Sequence, residues 1–352
     1  MKASIVINNY NYARFLSQAI ESALAQDHRD IEVIVIDDGS TDNSAEVIRS
    51  YGNRIISVFK ENGGQSSCYY RGFQVASGDL VLFLDADDYL HAQCISGVIE
   101  NWKEGCVKAH FYLDVVDENG VRLGMVVPSG RLSSGTTPLK MMRLFGAYCS
   151  PPGSGNVYSR EFLSKILPMQ NDYEFRRFEA IHFGGDSVPI LAAPYFGRVA
   201  AIPRILGFYR RHANAAGGVT STFQVEINVQ ALKREYDKDL IRDRAWQFVA
   251  RQTLMPKLLD PSRLKGRMCY LRLAGRGLDP RDYRLKLAAK GVLSCIRWDG
   301  YSWKQKIAAI GWFTGVAILP SKIAEKLIRP ALGISNRTPR LKKFLQANRR
   351  PI

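Results

Sequence analysis

The sequence predicts an α/β protein: a mostly parallel sheet flanked by helices, followed by a mainly helical, basic C-terminal region. Three observations predict it. Short apolar runs rich in β-branched residues alternate with segments of helical apolar spacing as far as Leu84. The runs are continuous rather than alternating, so the strands are buried on both faces and helices must cover both sides. Charge then divides the chain. Residues 1–216 hold 21 Lys and Arg against 23 Asp and Glu, and residues 217–352 hold 28 against 10. The net charges of −2 and +18 suggest one domain over 1–216 and a second region over 217–352.

Each element has its own signal. Residues 4–7 (SIVI) form the first strand. Residues 15–25 carry apolar side chains at 15, 16, 19, 20, 23 and 24, the spacing of a helix. Residues 31–36 (IEVIVI) form a buried strand that ends at Asp37-Asp38-Gly39-Ser40. Thr41 or Asp42 is placed to cap the next helix, which runs to about Tyr51. A third strand covers 55–59, and a helix over 65–76 ends at Ser77-Gly78. The fourth strand, 80–84 (LVLFL), runs into Asp85-Ala86-Asp87-Asp88. Residues 107–126 predict a hairpin about Asp117-Glu118-Asn119-Gly120. Residues 129–156 are rich in Gly, Ser, Thr and Pro and predict loops, and 187–212 predict apolar and turn segments. From about Phe223 the pattern is helical and basic.

Composition and motifs exclude several classes. With 46% hydrophobic residues the chain has the material for a core, which excludes disorder as its main state. Six cysteines stand no closer than twelve residues, so there is no C-x-x-C and no zinc-ligand spacing; they predict buried thiols of a reducing compartment. The apolar run before Asn8 is too short for a signal-peptide core, and a cytoplasmic protein is expected. Asn8-Asn9-Tyr10-Asn11 stands where a dinucleotide-binding protein has G-x-G-x-x-G, and no P-loop, G-x-S-x-G or H-E-x-x-H occurs.

Two acidic clusters follow strand ends, so they share one edge of the sheet, where α/β proteins bind ligands. Three carboxylates in Asp85-Ala86-Asp87-Asp88 repel one another. They suit a hard divalent cation such as Mg²⁺ or Mn²⁺, or else the N-terminus of a helix. In Asp37-Asp38 a carboxylate can accept from a base imino group or a ribose hydroxyl, with helix capping as the alternative.

The ordered set SIVINNYN, VIVIDDGSTDNS and ENGGQSSCYYRGFQVASGDLVLFLDADD strongly resembles family 2 glycosyltransferases of the GT-A fold. The likeness is close over about the first 100 residues and looser to His212, through Gly185-Asp186 and Tyr209-Arg210-Arg211-His212. It implies metal-dependent, inverting transfer of a sugar from a nucleotide-diphosphate donor, UDP favoured, to a hydroxyl of a glycan or lipid-linked acceptor. By resemblance Asp37 or Asp38 contacts the base, with Tyr10 and Asn11 lining the same pocket. Arg71 lies near the nucleotide and diphosphate, and Asp85 contacts the ribose. Asp87 binds the cation (Mn²⁺ or Mg²⁺), Asp88 lies on the donor-sugar side, and His212 touches phosphate or metal. Asp186 is the general base, and Gly185 stands where the family has Glu. The chemistry asks for such a set: the leaving diphosphate needs positive charge, with Arg210 or Arg211 as further sources, and the acceptor hydroxyl needs a carboxylate in reach. Two other classes compete: an inactive relative serving as a membrane-bound scaffold, and a nucleotidyltransferase, which would want a basic Gly-rich loop after strand one.

The basic region suits an anionic surface. Residues 307–320 are uncharged and flanked by Lys304, Lys306, Lys322 and Lys326, but fall short of the roughly 20 residues that span a bilayer. They are expected in the interface of an anionic membrane, peripheral on its inner face, with Trp303, Trp312 and Phe313 at headgroup depth. A buried helix or a homodimer contact would also suit them, and an acidic polysaccharide acceptor would also suit the charge. No nucleic-acid-binding motif occurs, so no nucleic-acid partner is expected.

Overall fold

The computed structural model describes residues 1–145, 148–167, 185–212, 264, 268, 269, 272, 281–297 and 302–331. The chain divides into two compact units, residues 1–225 with 238–258, and residues 226–237 with 259–352. The boundary expected at 216/217 lies outside the described residues.

The first unit is built on a nine-stranded mixed sheet. Its parallel half is the part read from the sequence. β1 (Ala3–Asn9) lies between β2 (Ile31–Asp37) and β4 (Leu80–Asp85), and β3 (Ile56–Phe59) pairs with β2. The register sets Asn9 beside Asp37 and Asn8 beside Asp85, so both acidic clusters leave the same edge. Helix α1 (Ala13–Leu24) buries Phe15, Leu16, Ala19, Ile20 and Ala23, the stripe its spacing predicted. α2 (Ser44–Ser50) starts at Asn43, and Asp42 accepts from the Ser44 N–H at 3.0 Å and the Ala13 N–H at 3.0 Å. Asp42 thus serves the starts of two helices. α3 (Gln65–Val75) lies close against β1: a Cβ on Gly72 would come within 2.3 Å of a Val6 methyl.

The second half of the sheet differs more from expectation. A short β5 (Tyr89–Leu90) and helix α4 (Cys94–Asn101) follow the second acidic cluster. β6 (Cys106–Val116) and β7 (Arg122–Val127) form the predicted hairpin. Within the stretch expected as loops lies a helix, α5 (Thr137–Phe145). β8 (Asn156–Ser159) joins β4 to β6, both antiparallel, and α6 (Arg160–Ile166) follows with Ser159 as its cap. The segment expected as turns is helix α7 (Ser187–Phe196) and a long strand, β9 (Arg198–Arg210), parallel to β6. α7 is apolar on every side, so no helical stripe marks it. Pro203 and Gly207 interrupt the strand signal of β9, whose pairing shifts register between Phe111 and Leu113 of β6.

In the second unit, α8 (Arg281–Arg297), α9 (Trp303–Ile318) and α10 (Ser321–Ala331) bury Leu287, Cys295, Phe313, Val316, Ala324 and Ile328 together. Ser302 and Gln305 close a capping box at the start of α9. Residues expected at headgroup depth divide here. Phe313 is in this core, and Trp312 is half-buried and donates to the Leu327 carbonyl at 3.1 Å. Trp303, Ile307 and Ile318 are exposed at 67%, 61% and 68%. Among the described residues no helix is long and apolar enough to cross a membrane. None of the six cysteines forms a disulfide, and all but Cys149 are buried.

Candidate active site

A cleft of about 460 Å³ opens at the edge where β1, β2 and β4 end, within the size range of small-molecule sites. Asp38, Tyr10, Asn8, Asp85 and Asp87 line it.

The first acidic corner is held locally. Asp37 is buried and accepts from Asn9 Nδ2 at 2.8 Å, from the Ser40 hydroxyl at 2.6 Å and from the Ser40 N–H at 3.1 Å. Gly39 makes the turn at φ +74°, and a Cβ there would sit 2.9 Å from the Asn62 nitrogen. Asp38 accepts from the Gly63 and Gly64 N–H groups at 2.9 and 2.8 Å and pairs with Lys60. Of the two acids, Asp38 therefore lines the cleft and Asp37 holds the turn. Asn11, at φ 59°, accepts from the Thr41 N–H at 2.7 Å. It braces the turn and is outside the cleft lining.

The second corner draws on the first strand and α3 and also on residues far along the chain. Asp85 accepts from Asn8 Nδ2 and Gln65 Nε2, both at 2.8 Å. Asp88 is buried, with the Ser154 hydroxyl on Oδ2 at 2.6 Å and the Arg210 N–H on Oδ1 at 2.9 Å. Both its oxygens are thus engaged, and it supports the corner from behind the cleft lining. His212 is fully buried, with Nε2 3.0 Å from Asp87 Oδ2 and Nδ1 3.4 Å from the Arg14 guanidinium. Arg only donates, so Nδ1 accepts and Nε2 carries the proton given to Asp87. His212 here orients the carboxylate expected to hold metal. The Arg210 guanidinium is buried on the carbonyls of Asp87 (2.8 Å) and Glu118 (2.7 Å), so it clamps backbone instead of facing a ligand. Arg71 is exposed on α3 beside Gln74, and the structure does not bring it to the cleft lining.

One carboxylate oxygen from each of Asp85, Asp87 and Asp88 falls within 4.8 Å of the others. This hard-oxygen set fits Mg²⁺ or Mn²⁺. Burial, and then the Asp87 charge, push Asp85 up to about 7. Burial also raises Asp88 well above the usual carboxylate range. A cation would reverse both effects.

Asp186 is the N-cap residue of α7. Burial raises it above the usual carboxylate range, and an N–H from Gly153 opposes that shift. Gly185 has a steric reason: a Cβ there would lie 2.9 Å from the Ser66 nitrogen and 3.0 Å from its Cα. A larger residue does not fit this backbone approach. The Gly185 N–H donates to Gln65 Oε1 at 2.8 Å, so the Gln65 amide ties the base segment to Asp85.

Sequence reasoning missed Gln65, Lys60 and Ser154, and also Tyr12 and Tyr209, which line the cleft. Gln65 stands within the quoted motif GGQSS, where a polar residue opening a helix after two glycines was the available signal. Nothing in the local sequence marks Ser154, and Tyr209 stands in Tyr209-Arg210-Arg211-His212 with no role assigned to it.

A profile of the family described as "Glycosyl transferase family 2" matches residues 4–167. An uncharacterized glycosyltransferase of Nostoc sp. is 33% identical over 251 residues, 68% of this chain and 76% of that protein. An uncharacterized glycosyltransferase of Rickettsia conorii is 31% identical over 198 residues, 51% of this chain and 32% of that protein. Among solved structures, S. aureus TarS residues 1–349 in complex with UDP superimposes with a TM-score of 0.52 at 13% identity, covering 99% of this chain and 92% of that one. At that identity the likeness speaks for the fold, and the fold it supports is GT-A. With motifs, fold and relatives in agreement, the chain belongs to glycosyltransferase family 2 and is a glycosyltransferase.

Proposed function

We propose that the cleft binds a UDP-sugar with Mn²⁺ or Mg²⁺ and transfers the sugar, with inversion, to a hydroxyl of a glycan or lipid-linked acceptor. The observation that carries this is the Gln65 bridge, which joins a donor-side carboxylate, Asp85, to the backbone next to Asp186. The UDP complex of TarS supports the choice of nucleotide. In this assignment Asp38 and Tyr10 meet the base, and Asp85 meets the ribose. The Asn8 Oδ1 oxygen, buried without a partner beside Asp85, offers a further acceptor to a ligand hydroxyl. Asp37 and Asn11 act through the turn they hold. Asp87 holds the cation with His212 behind it, and the bound cation would supply Lewis-acid stabilisation of the leaving diphosphate. Asp88 sets the backbone of that corner. Arg71 serves the diphosphate only after a change of side-chain position.

Asp186 takes the acceptor hydroxyl proton while that oxygen bonds the anomeric carbon and the bond to the diphosphate breaks. A carboxylate raised by burial is a stronger proton acceptor than a solvated one. Direct attack from the face opposite the nucleotide inverts the centre. A thermal-shift panel of UDP, GDP, dTDP and CMP, each with and without Mn²⁺, tests the donor site. A metal-dependent shift with UDP is expected; no shift with any nucleotide sinks the proposed donor site.

A peripheral membrane location on the inner face is also proposed, and suits a lipid-linked acceptor. It rests on the exposed Trp303, Ile307 and Ile318 of α9 beside Lys304, Lys322 and Lys326. Co-sedimentation with phosphatidylserine vesicles, but not with phosphatidylcholine vesicles, is the expected result. Equal recovery without vesicles removes it.

A further inference from the structure

Lys108 and His110 lie on β6, and both are fully buried. Nothing in the transfer chemistry above uses them. A buried lysine is costly unless it loses its proton or finds partners for every N–H. Burial pushes Lys108 well below the usual lysine range, while the Asp186 charge acts the other way. The directions of its hydrogen bonds decide between the two forms.

Lys108 Nζ lies 2.7 Å from Ser150 Oγ, 2.9 Å from Tyr148 Oη and 3.2 Å from His110 Nδ1. Each neighbour sends its own proton to an oxygen that can only accept. The Tyr148 hydroxyl donates to the Ile190 carbonyl at 2.6 Å. His110 Nε2–H donates to the Ser133 carbonyl at 2.9 Å. The Ser150 hydroxyl lies 3.1 Å from Asn156 Oδ1, 3.3 Å from His110 Nδ1 and 3.4 Å from the Pro151 carbonyl; it donates along the shortest of these, to Asn156, which leaves the His110 Nδ1 lone pair to Lys108 Nζ. The Asn156 amide is oriented for this, because its Nδ2 faces the Pro152 and Gly153 carbonyls at 2.7 and 3.1 Å. All three neighbours therefore accept from Nζ. Three acceptors call for three N–H donors, which only an ammonium has.

The far ends of these chains flank Asp186. Ile190 is in the first turn of α7, and its N–H donates to the Asp186 carbonyl at 3.1 Å. Asn156 holds the turn whose Gly153 N–H reaches the Asp186 carboxylate. None of the hydrogen-bond partners of Lys108 is a carboxylate, and Asp186 is the acid whose field it feels.

We propose that Lys108 is a positioning residue of the transfer reaction, a buried ammonium that fixes the helix start and the turn on either side of Asp186. This rests on Asp186 as the base. In ¹⁵N-lysine-labelled full-length protein, Lys108 should give a protected signal split by three protons, absent from Lys108→Met. Lys108→Met should lower turnover by about 10- to 100-fold, the scale of a misplaced catalytic group. Donor KM and the UDP–Mn²⁺ thermal shift should not change. In an Asp186→Asn background the same change should add no further loss. Should Lys108→Met fail to fold, Tyr148→Phe carries the test, with a loss of about 3- to 10-fold and unchanged KM. A two-proton pattern, no protected signal, undiminished turnover, a matching rise in KM or losses that multiply with Asp186→Asn would each overturn the proposal. Full activity of Asp186→Asn alone would instead remove the base assignment, and the NMR multiplicity would still judge the charge of Lys108.

Discussion

The two acidic corners of the cleft look alike in sequence and are built in different ways. The first, Asp37-Asp38, takes its hydrogen bonds from residues 9 to 64: Asn9, Ser40, Lys60, Gly63 and Gly64. In the second, Asp85 also takes its hydrogen bonds from Asn8 and Gln65, but Asp87 and Asp88 depend on Ser154, Arg210 and His212, which lie 66 to 125 residues away along the chain. In each corner one acid is taken up by the fold, Asp37 in the first and Asp88 in the second. Its neighbour is left to line the cleft, Asp38 in the first and Asp87 in the second. A local corner suits recognition of a part that does not react.

That division can be broken by experiment. Asp186→Asn, on the remote side, should lower turnover by about 10³-fold, the middle of what a general base contributes. UDP binding, followed by the thermal shift, should survive; loss of binding would show that Asp186 belongs to the donor pocket. Asp87→Ala should abolish the Mn²⁺-dependent part of the UDP shift and leave the metal-independent part. An unaltered Mn²⁺ response would remove Asp87 as the ligand. Gly185→Ala should cost about 1–3 kcal/mol of stability, because the new methyl meets Ser66 backbone instead of a flexible side chain. A melting temperature equal to wild type would contradict the close approach. A graded effect is that of pH. Below about 7 Asp85 keeps its proton and opposes cation binding; above it the carboxylate is free. Mn²⁺ affinity should therefore rise with pH, by about tenfold per unit below that value, and level off above it. Calorimetric titration with Mn²⁺ at several pH values between about 5 and 8 checks this, and a flat profile would detach Asp85 from the cation.

Legibility in the sequence follows the same division. The parallel half of the sheet was readable because IVIVI-type strands and 3.6-period helices each carry a complete signal within a dozen residues. Both acidic clusters were readable because strand ends fix which edge they share. Which acid of each pair faces the cleft was not readable, since the hydroxyl of Ser154 and the backbone N–H of Arg210 take up Asp88, and a backbone N–H carries no sequence signal. α7 was missed because a helix apolar on every side has no stripe, and β9 because Pro203 and Gly207 break its alternation. The departure at Gly185 was visible in the sequence, but its cause was not: the reason is the Ser66 backbone, which sequence distance hides.

The Gln65 bridge acts as a keyed part. Its amide nitrogen meets a carboxylate and its amide oxygen meets an N–H, so a half-turn about the last side-chain bond would set oxygen against oxygen and N–H against N–H. Glu in its place would face Asp85 with a second negative charge, Leu would offer neither end, and Asn would be one methylene short. In a saturation library read for transfer, position 65 should accept fewer residues than the carboxylates around it would suggest. Such a narrow tolerance would follow from the two ends of one amide, one on Asp85 and one on the Gly185 N–H.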